Sequence, residues 1–432
     1  MKYFLAIDLG ASSGRHIVGY IENGEMIYDE VYRFPNSVKY YNGHYIWDID
    51  YILEEVKKGI RKAVSKYHKL ESLSVDSWGC DYVLVRGDKT IYPCYAYRDN
   101  RTNEAINEVH KIISFKDLYK ITGTQFQKFN TIYQLYADKM AGRLDEKTEA
   151  LMIPEYIIYR LTGRKVREYT NLGTTGLFDI NKKVISEEIT SKLGINFSKD
   201  VLTPGTYIGK TIAERTKVVL CSTHDTASAI EGLDIENNEL YISSGTWSLI
   251  GIKTNDPCTN EESLKANYSN ELGPDYIRYQ KNIMGLWIVN KLSEEMGYDM
   301  DQMIKKAKLG RYYDVFDVND ERFLSPKSMI AEILGWYKDH KIKIPRNERK
   351  LCKCVFNSLV YSYKNAVDQL ESITSLKFNK VYIVGGGSKN NYLNECLREA
   401  LNIETILCDI ESAAYGNIKD QMKFTGEVDE DI

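Results

Sequence analysis

Asp8 closes the apolar run Tyr3-Phe4-Leu5-Ala6-Ile7 and is followed at once by Gly10-Ala11-Ser12-Ser13-Gly14-Arg15. A carboxylate in such a run must be solvated, paired or linked to a metal. Alone it reads either as a hydrogen-bonded turn residue or as a metal-linked one. The Gly/Ser turn beside it favours the second, because glycine lets backbone N–H groups close around an anion. Magnesium takes one or two carboxylates together with waters and phosphate oxygens. Arg15 either adds charge against a transferring phosphoryl group or is a solvated strand residue. Further along, Ser222-Thr223-His224-Asp225-Thr226 stands between an apolar strand and a small-residue helix. Asp225 alone reads as a helix N-cap. The helix N-terminus keeps such a carboxylate ionised, and in a cleft it can accept the proton of a hydroxyl. His224 alone reads as a structural hydrogen-bonder. The segments Ser74–Asp81 and Tyr97–Arg101 combine aromatics with carboxylates. That mixture suits a sugar's C–H faces and hydroxyls, and equally a core tryptophan and a salt-bridged loop.

These residues need elements to hold them. Residues 3–9 predict a buried strand, 15–21 its hairpin partner and 26–34 a third strand, with Asn23-Gly24 as the turn. Ile52, Val56, Ile60, Ala63 and Val64 recur at helical spacing, and Leu73–Asp76 returns as a strand. That order is the one of a ribonuclease-H-like half. Residues 80–200 read as an insertion with helices over 103–113, 131–141 and 154–162. A strand at Lys217–Cys221 and a short helix over 226–231 follow.

The second half repeats the opening. Leu240–Ser244 ends in Gly245-Thr246 and pairs back through 248–253. Helices are predicted over 281–296, 300–307 and 348–372. Val381–Val384 ends in Gly385-Gly386-Gly387, before a helix capped by Asn390 or Asn391. The boundary between halves falls near 232–238. Two such glycine turns, each opening its own half, suggest a nucleotide held between two related lobes.

Composition narrows the class. A chain of 432 residues, 43% hydrophobic and 27% charged, predicts a soluble globular protein of about two to three domains. The net charge of −4 gives no basic field for nucleic acid. No apolar run is long enough to span a membrane, and Tyr3–Ile7 is too short for a secretory signal. The eight cysteines include only a C-x-C at Cys352 and Cys354, which reads as reduced cytoplasmic thiols rather than a zinc site.

Together the segments Asp8–Arg15, Ser77–Asp81, Ala96–Asp99, Tyr159–Gly163, His224–Ala229, Ser243–Ser248, Asn282–Trp287, Arg322–Pro326 and Val384–Gly387 resemble the FGGY family of carbohydrate kinases. That family lies in the actin/hexokinase/heat-shock-70 ATPase superfamily, and the resemblance runs from residue 4 to about 422. It implies an α/β fold of two ribonuclease-H-like lobes with an active-site cleft between them. Residues 1–231 would form the mainly sugar-binding lobe, and 232–432 the mainly ATP-binding one. It implies ATP and Mg2+, with Ala11, Ser12, Ser13, Gly14, Arg15, Thr246, Asn290 and Gly386 around the nucleotide. Gly79, His224, Thr226 and Asn282 would hold the sugar, Asp225 would be the base, and Asp8 would hold Mg2+ through water. Arg15 and Asn282–Trp287 point to L-rhamnulose, phosphorylated at its C1 hydroxyl in rhamnose catabolism. L-fuculose and D-xylulose are the alternatives, and an ATP-driven switch of the actin or heat-shock-70 kind a remote one. Four positions depart from the family pattern: Asn290 replaces a glutamine, Gln134 a lysine, and Lys419 and Asp420 small or apolar residues. The chain stops at Ile432, short of the family's usual tail. Oligomeric state, monomer or dimer, is left open.

Overall fold

The computed structural model describes residues 1–408 and 411–426. Among the described residues two compact units are present: 1–235, 254–278 and 411–426 form one, and 236–253 with 279–408 the other. The last helix, Ser412–Thr425, therefore belongs with the first unit. The chain first passes from one unit to the other between 235 and 236, within the expected 232–238, and it returns to the first unit at 254–278 and from 411.

The first unit is built on a six-stranded sheet. Phe4–Leu9 pairs antiparallel with Ser13–Glu22, which pairs antiparallel with Glu25–Pro35. On its other side Phe4–Leu9 runs parallel to Ser72–Ser77, which runs parallel to Lys217–Val219. Asn23 and Gly24 both have positive φ, 53° and 84°, as the twist-matched two-residue hairpin requires. Alternate residues of the first strand face opposite sides. Leu5, Ile7 and Leu9 pack with Ile52, Val56 and Ile60 of the helix Ile49–Tyr67, while Phe4 and Ala6 pack with Ala414, Ile418 and Met422 of the last helix. Cover on both faces is why the strand reads as a continuous apolar run. Asp8 has the parity of Phe4 and Ala6, so it stands at the strand end on the side of the last helix.

Within 80–200 the expected helices are present as Thr102–Ile112, Thr131–Met140 and Ile153–Thr162, with shorter helices at Phe115–Thr122, Tyr169–Leu172 and Glu187–Leu193 between and after them. They pack with a small sheet of Tyr82–Arg86, Lys89–Ile91 and Thr148–Met152, an element that helical spacing alone did not reveal.

The second unit repeats the opening pattern. Leu240–Ser244 pairs antiparallel with Trp247–Thr254 and parallel with Lys380–Val384, which runs parallel to Glu404–Leu407. One expectation is corrected: residues 281–284 are not helical. They complete the strand Ile277–Met284, and the helix begins at Trp287. Burial alternates poorly there, so the apolar spacing imitates a helix. Asn390 caps the helix Asn391–Leu401, accepting from the Leu393 N–H at 3.0 Å. Among the described residues, no helix is long and apolar enough to cross a membrane.

Candidate active site

In the first unit three parallel strands deliver carboxylates at their C-terminal ends, where open α/β sheets place ligands. Asp8 and Asp76 are direct neighbours in the parallel register. Asp225 follows the third strand, and its turn is tied to the second by a bridge between Ser77 and His224. Asp76 is fully buried and accepts from Asn417 Nδ2 at 2.7 Å. Burial first, then the charge of Asp8, raises its pKa well above the ordinary carboxylate range.

Asp225 is not the N-cap. His224 occupies that position, and Asp225 is the first residue of the helix Asp225–Glu231. The cap position needs an extended backbone, which His224 has, with φ −84° and ψ 120°. The Asp225 carboxylate is therefore not consumed by capping, apart from its bonds to Thr226. Its side chain keeps 32% of its surface open. Its recessed position and then the charge of Asp8 push its pKa up to about 6. A carboxylate with a pKa in that range is chemically suited to accept a proton near neutrality.

His224 is held as a neutral imidazole. Arg278 Nη2 lies 3.0 Å from its Nδ1, and a guanidinium can only donate. Nδ1 is therefore the acceptor, and the proton sits on Nε2. Burial and then the Arg278 charge lower the His224 pKa well below its usual value. Nε2 stands 3.5 Å from Asp225 Oδ1, and a Cβ placed on Gly79 would meet it at 3.2 Å and Thr174 Cγ2 at 2.9 Å. Gly79 thus leaves room beside an N–H donor and a carboxylate, the pair a sugar hydroxyl needs. Arg278 and Glu271, which lies 3.4 Å from Arg278, had no signal in the sequence. Neither is near His224 along the chain. Replacing Arg278 with Met removes the second of these two causes and leaves the first. The His224 midpoint, followed by its ring 15N shifts, should then rise relative to the parent while burial keeps it below that of an ordinary histidine. An unchanged midpoint in Arg278→Met would refute the contribution assigned to its charge.

Arg15 is not a solvated strand residue. Its guanidinium bridges Asp8 and Glu411. Against its burial, those two carboxylates raise its pKa. The turn before it is closed by Gly10 N–H to Ser13 O at 2.9 Å and by Asn36 Nδ2 to Gly10 O at 2.9 Å. Ser12 is exposed on it, with Ala11 and Ser13 half-buried. Gly14 has a packing reason of its own, since a Cβ there would run into the Phe34 ring.

The charge around Asp8 fits a divalent cation. The charge of Asp8 adds to the cost of ionising Asp225, and a cation between acids and phosphates relieves such repulsion. Among the described residues no group of three or more His, Cys, Asp or Glu has metal-holding geometry. Magnesium needs no such cage, taking one or two carboxylates and filling its shell with water and phosphate.

Two other segments turn out structural. Asp81 is buried and saturated: its Oδ2 takes Trp47 Nε1, Trp78 Nε1 and the Tyr97 N–H, and its Oδ1 takes Gln134 Nε2. Trp78 is buried against Trp47, ring centroids 4.4 Å apart. Neither residue is left to grip a sugar hydroxyl. Gln134 also donates to the carbonyls of Cys80 and Phe129, and its Oε1 accepts from Arg101 Nη2 at 3.2 Å, a contact that an amide can make and a lysine cannot. Asp99 accepts from the Tyr45 and Arg101 N–H groups.

The second unit holds Thr246, Asn282, Asn290 and Gly386. The Gly245-Thr246 turn receives the N–H groups of Gly285, Leu286 and Trp287. This fixes the chain between Asn282 on its strand and Asn290, which is exposed on its helix. Gly285 is required, because a Cβ would stand 2.6 Å from the Gly245 carbonyl oxygen. Gly385 has φ +82° and packs against the Ser244 carbonyl. Gly386 is exposed, with open space where a Cβ would stand. The turns carrying Thr246 and Gly386 thus adjoin at Ser244, as backbone-lined loops open to a ligand.

Comparison with known proteins identifies the family and the fold. Residues 3–222 match the N-terminal domain of the FGGY family of carbohydrate kinases, and 240–423 its C-terminal domain. The chain is 39% identical to the rhamnulokinase of Oceanobacillus iheyensis, covering 99% of this chain and 94% of that protein. It is 36% identical to the rhamnulokinase of Halalkalibacterium halodurans, covering 99% and 95%. Its fold matches that of a ligand-bound xylulose kinase from Lactobacillus acidophilus, with a TM-score of 0.81 and 15% identity over 100% of this chain and 91% of that one. It also matches Plasmodium falciparum glycerol kinase with ADP, with a TM-score of 0.80 and 14% identity over 100% and 91%.

Proposed function

This chain belongs to the FGGY family of carbohydrate kinases, and from that premise we propose that it transfers the γ-phosphoryl group of ATP to the C1 hydroxyl of L-rhamnulose. The sugar kinase class follows from the family. The choice of sugar is supported by the relatives named rhamnulokinase. The observation that carries the mechanism is Asp225, a partly open carboxylate with its pKa pushed up to about 6, beside the neutral His224.

In this reading the sugar enters beside Gly79. His224 Nε2–H donates to a sugar oxygen, and Asp225 accepts the C1 hydroxyl proton as that oxygen attacks the γ-phosphorus. ADP leaves with the former bridging oxygen. Arg15 and the Gly10–Gly14 turn offer positive charge and donors toward the transferring group, and Thr246 and Gly386 toward the rest of the nucleotide. Bound Mg2+, held from Asp8 through water, would offset phosphate charge. Catalysis of this kind is mainly positioning and electrostatics.

A coupled ADP-release assay with Mg-ATP tests the reading across L-rhamnulose, L-fuculose, D-xylulose, glycerol and no sugar. The expected result is kcat/KM for L-rhamnulose about a hundredfold above the others, the upper end of the effect of leaving one buried polar group unsatisfied, about 1–3 kcal/mol. Preference for another ketose would move the substrate and keep the chemistry. ATP loss independent of sugar would overturn the proposal.

A further inference from the structure

The turn that leads into Asp225 is gripped by two buried carboxylates that the chemistry leaves unused. The Ser222 N–H and Oγ both donate to Asp420 Oδ2, at 2.8 and 3.0 Å. The next residue repeats the pattern: the Thr223 N–H and Oγ1 donate to Glu168 Oε2, at 3.1 and 2.6 Å. The Thr223 carbonyl in turn accepts from the Ser77 N–H at 2.9 Å. Every polar group of the turn's backbone named here is thereby fixed before the helix starts.

We infer that Asp420, with Glu168 as the opposing jaw, is a positioning residue for Asp225, an inference that rests on Asp225 being the base. The helix Asp225–Glu231 has seven residues, too short to hold its own register, because helix nucleation is unfavourable and short helices depend on their surroundings. Its first residue carries the carboxylate that must meet the hydroxyl. The orientation of that residue is set by Ser222 and Thr223. Asp420 is 3% exposed and Glu168 fully buried, so each is a costly group to keep. Their hydrogen bonds to the turn offset that cost. Asp420 is 198 residues from Ser222 in sequence. The last helix therefore contributes to the site without touching the reactants. Glu231 and Lys423 are the charged groups nearest Asp420, and they pair with each other at 2.8 Å.

The test compares Asp420→Ala, Asp420→Asn and Asp225→Asn in the full chain. It reads kcat, the KM for each substrate, and the thermal midpoint. Asp420→Ala should lower kcat roughly tenfold to a hundredfold, the effect of a misplacement of about 1 Å, with both KM values within about twofold. Asp420→Asn keeps an acceptor oxygen for Ser222 and should stay within about threefold of the parent kcat. A folded Asp420→Ala protein with parental kcat would overturn the inference. So would equal losses in the Ala and Asn variants, which would mean that charge rather than the acceptor matters. If Asp420→Ala does not fold, Ser222→Ala removes only the hydroxyl donor; a severalfold drop in kcat is then expected, and parental kcat overturns the inference. Full turnover in Asp225→Asn would remove the base itself, a failure distinct from that of the clamp.

Discussion

Asp225→Asn lowers kcat with L-rhamnulose by about a thousandfold, within the range that a positioned general base contributes, while KM for ATP stays near the parental value. The amide has the size of the carboxylate and cannot take the proton. It does not weaken the fold. The native-state pKa, about 6, lies above the ordinary aspartate value. Ionised Asp225 thus costs stability as pH rises from that ordinary value through about 6, and a neutral amide removes the cost. A steady-state ADP-release assay and a thermal melt on the same sample check both parts. Lost activity with an unchanged or higher Tm is the expected pair. Full activity would remove the base assignment, and a collapsed Tm would make the loss uninterpretable as chemistry. If Asp225 is the base, the parent's acid limb should follow it: kcat/KM is expected to fall as pH drops through about 6, because the protonated carboxyl cannot accept.

Gly416→Ala destabilises the protein by about 3 kcal/mol, the upper part of the range for overpacking, and lowers turnover with it. The last helix crosses the helix of Asp225 at its glycines. A Cβ on Gly416 would overlap the Ser228 carbonyl and stand 2.8 Å from the Gly232 nitrogen, and one on Gly232 would overlap the Ser412 carbonyl. These neighbours are backbone, so no side chain can swing aside and the helices must separate. The Asp225 helix is one of the two. Differential scanning calorimetry and kcat at a temperature well below the transition measure the two effects separately. A parental Tm in Gly416→Ala would contradict the crossing.

Much of the site was legible locally. Asp8 before a Gly/Ser turn, the Asn23-Gly24 hairpin, the Gly385–Gly387 turn and the strand before His224-Asp225 all depend on a few adjacent residues. Backbone sterics and apolar alternation act over that range. The same local rules failed where burial outvoted spacing. Residues 281–284 carry helix-like spacing and form a strand. Trp78 and Asp81 carry the composition of a sugar site, yet Gln134, Trp47 and Tyr97 exhaust the Asp81 carboxylate. Asp420 breaks the expected small-residue pattern of the last helix, and it finds its partners in Ser222 rather than disturbing the packing.

By itself the sequence determined which residue types stand at which strand ends, because strands and glycine turns are decided by neighbours along the chain. The tertiary structure alone decided what those residues can do. Arg278, 54 residues from His224, keeps that imidazole neutral; Asn417, 341 residues from Asp76, hydrogen-bonds its buried carboxylate; and Asp8 helps set the pKa of Asp225. Protonation depends on desolvation and on charges a few ångströms away in space, and no local pattern encodes either.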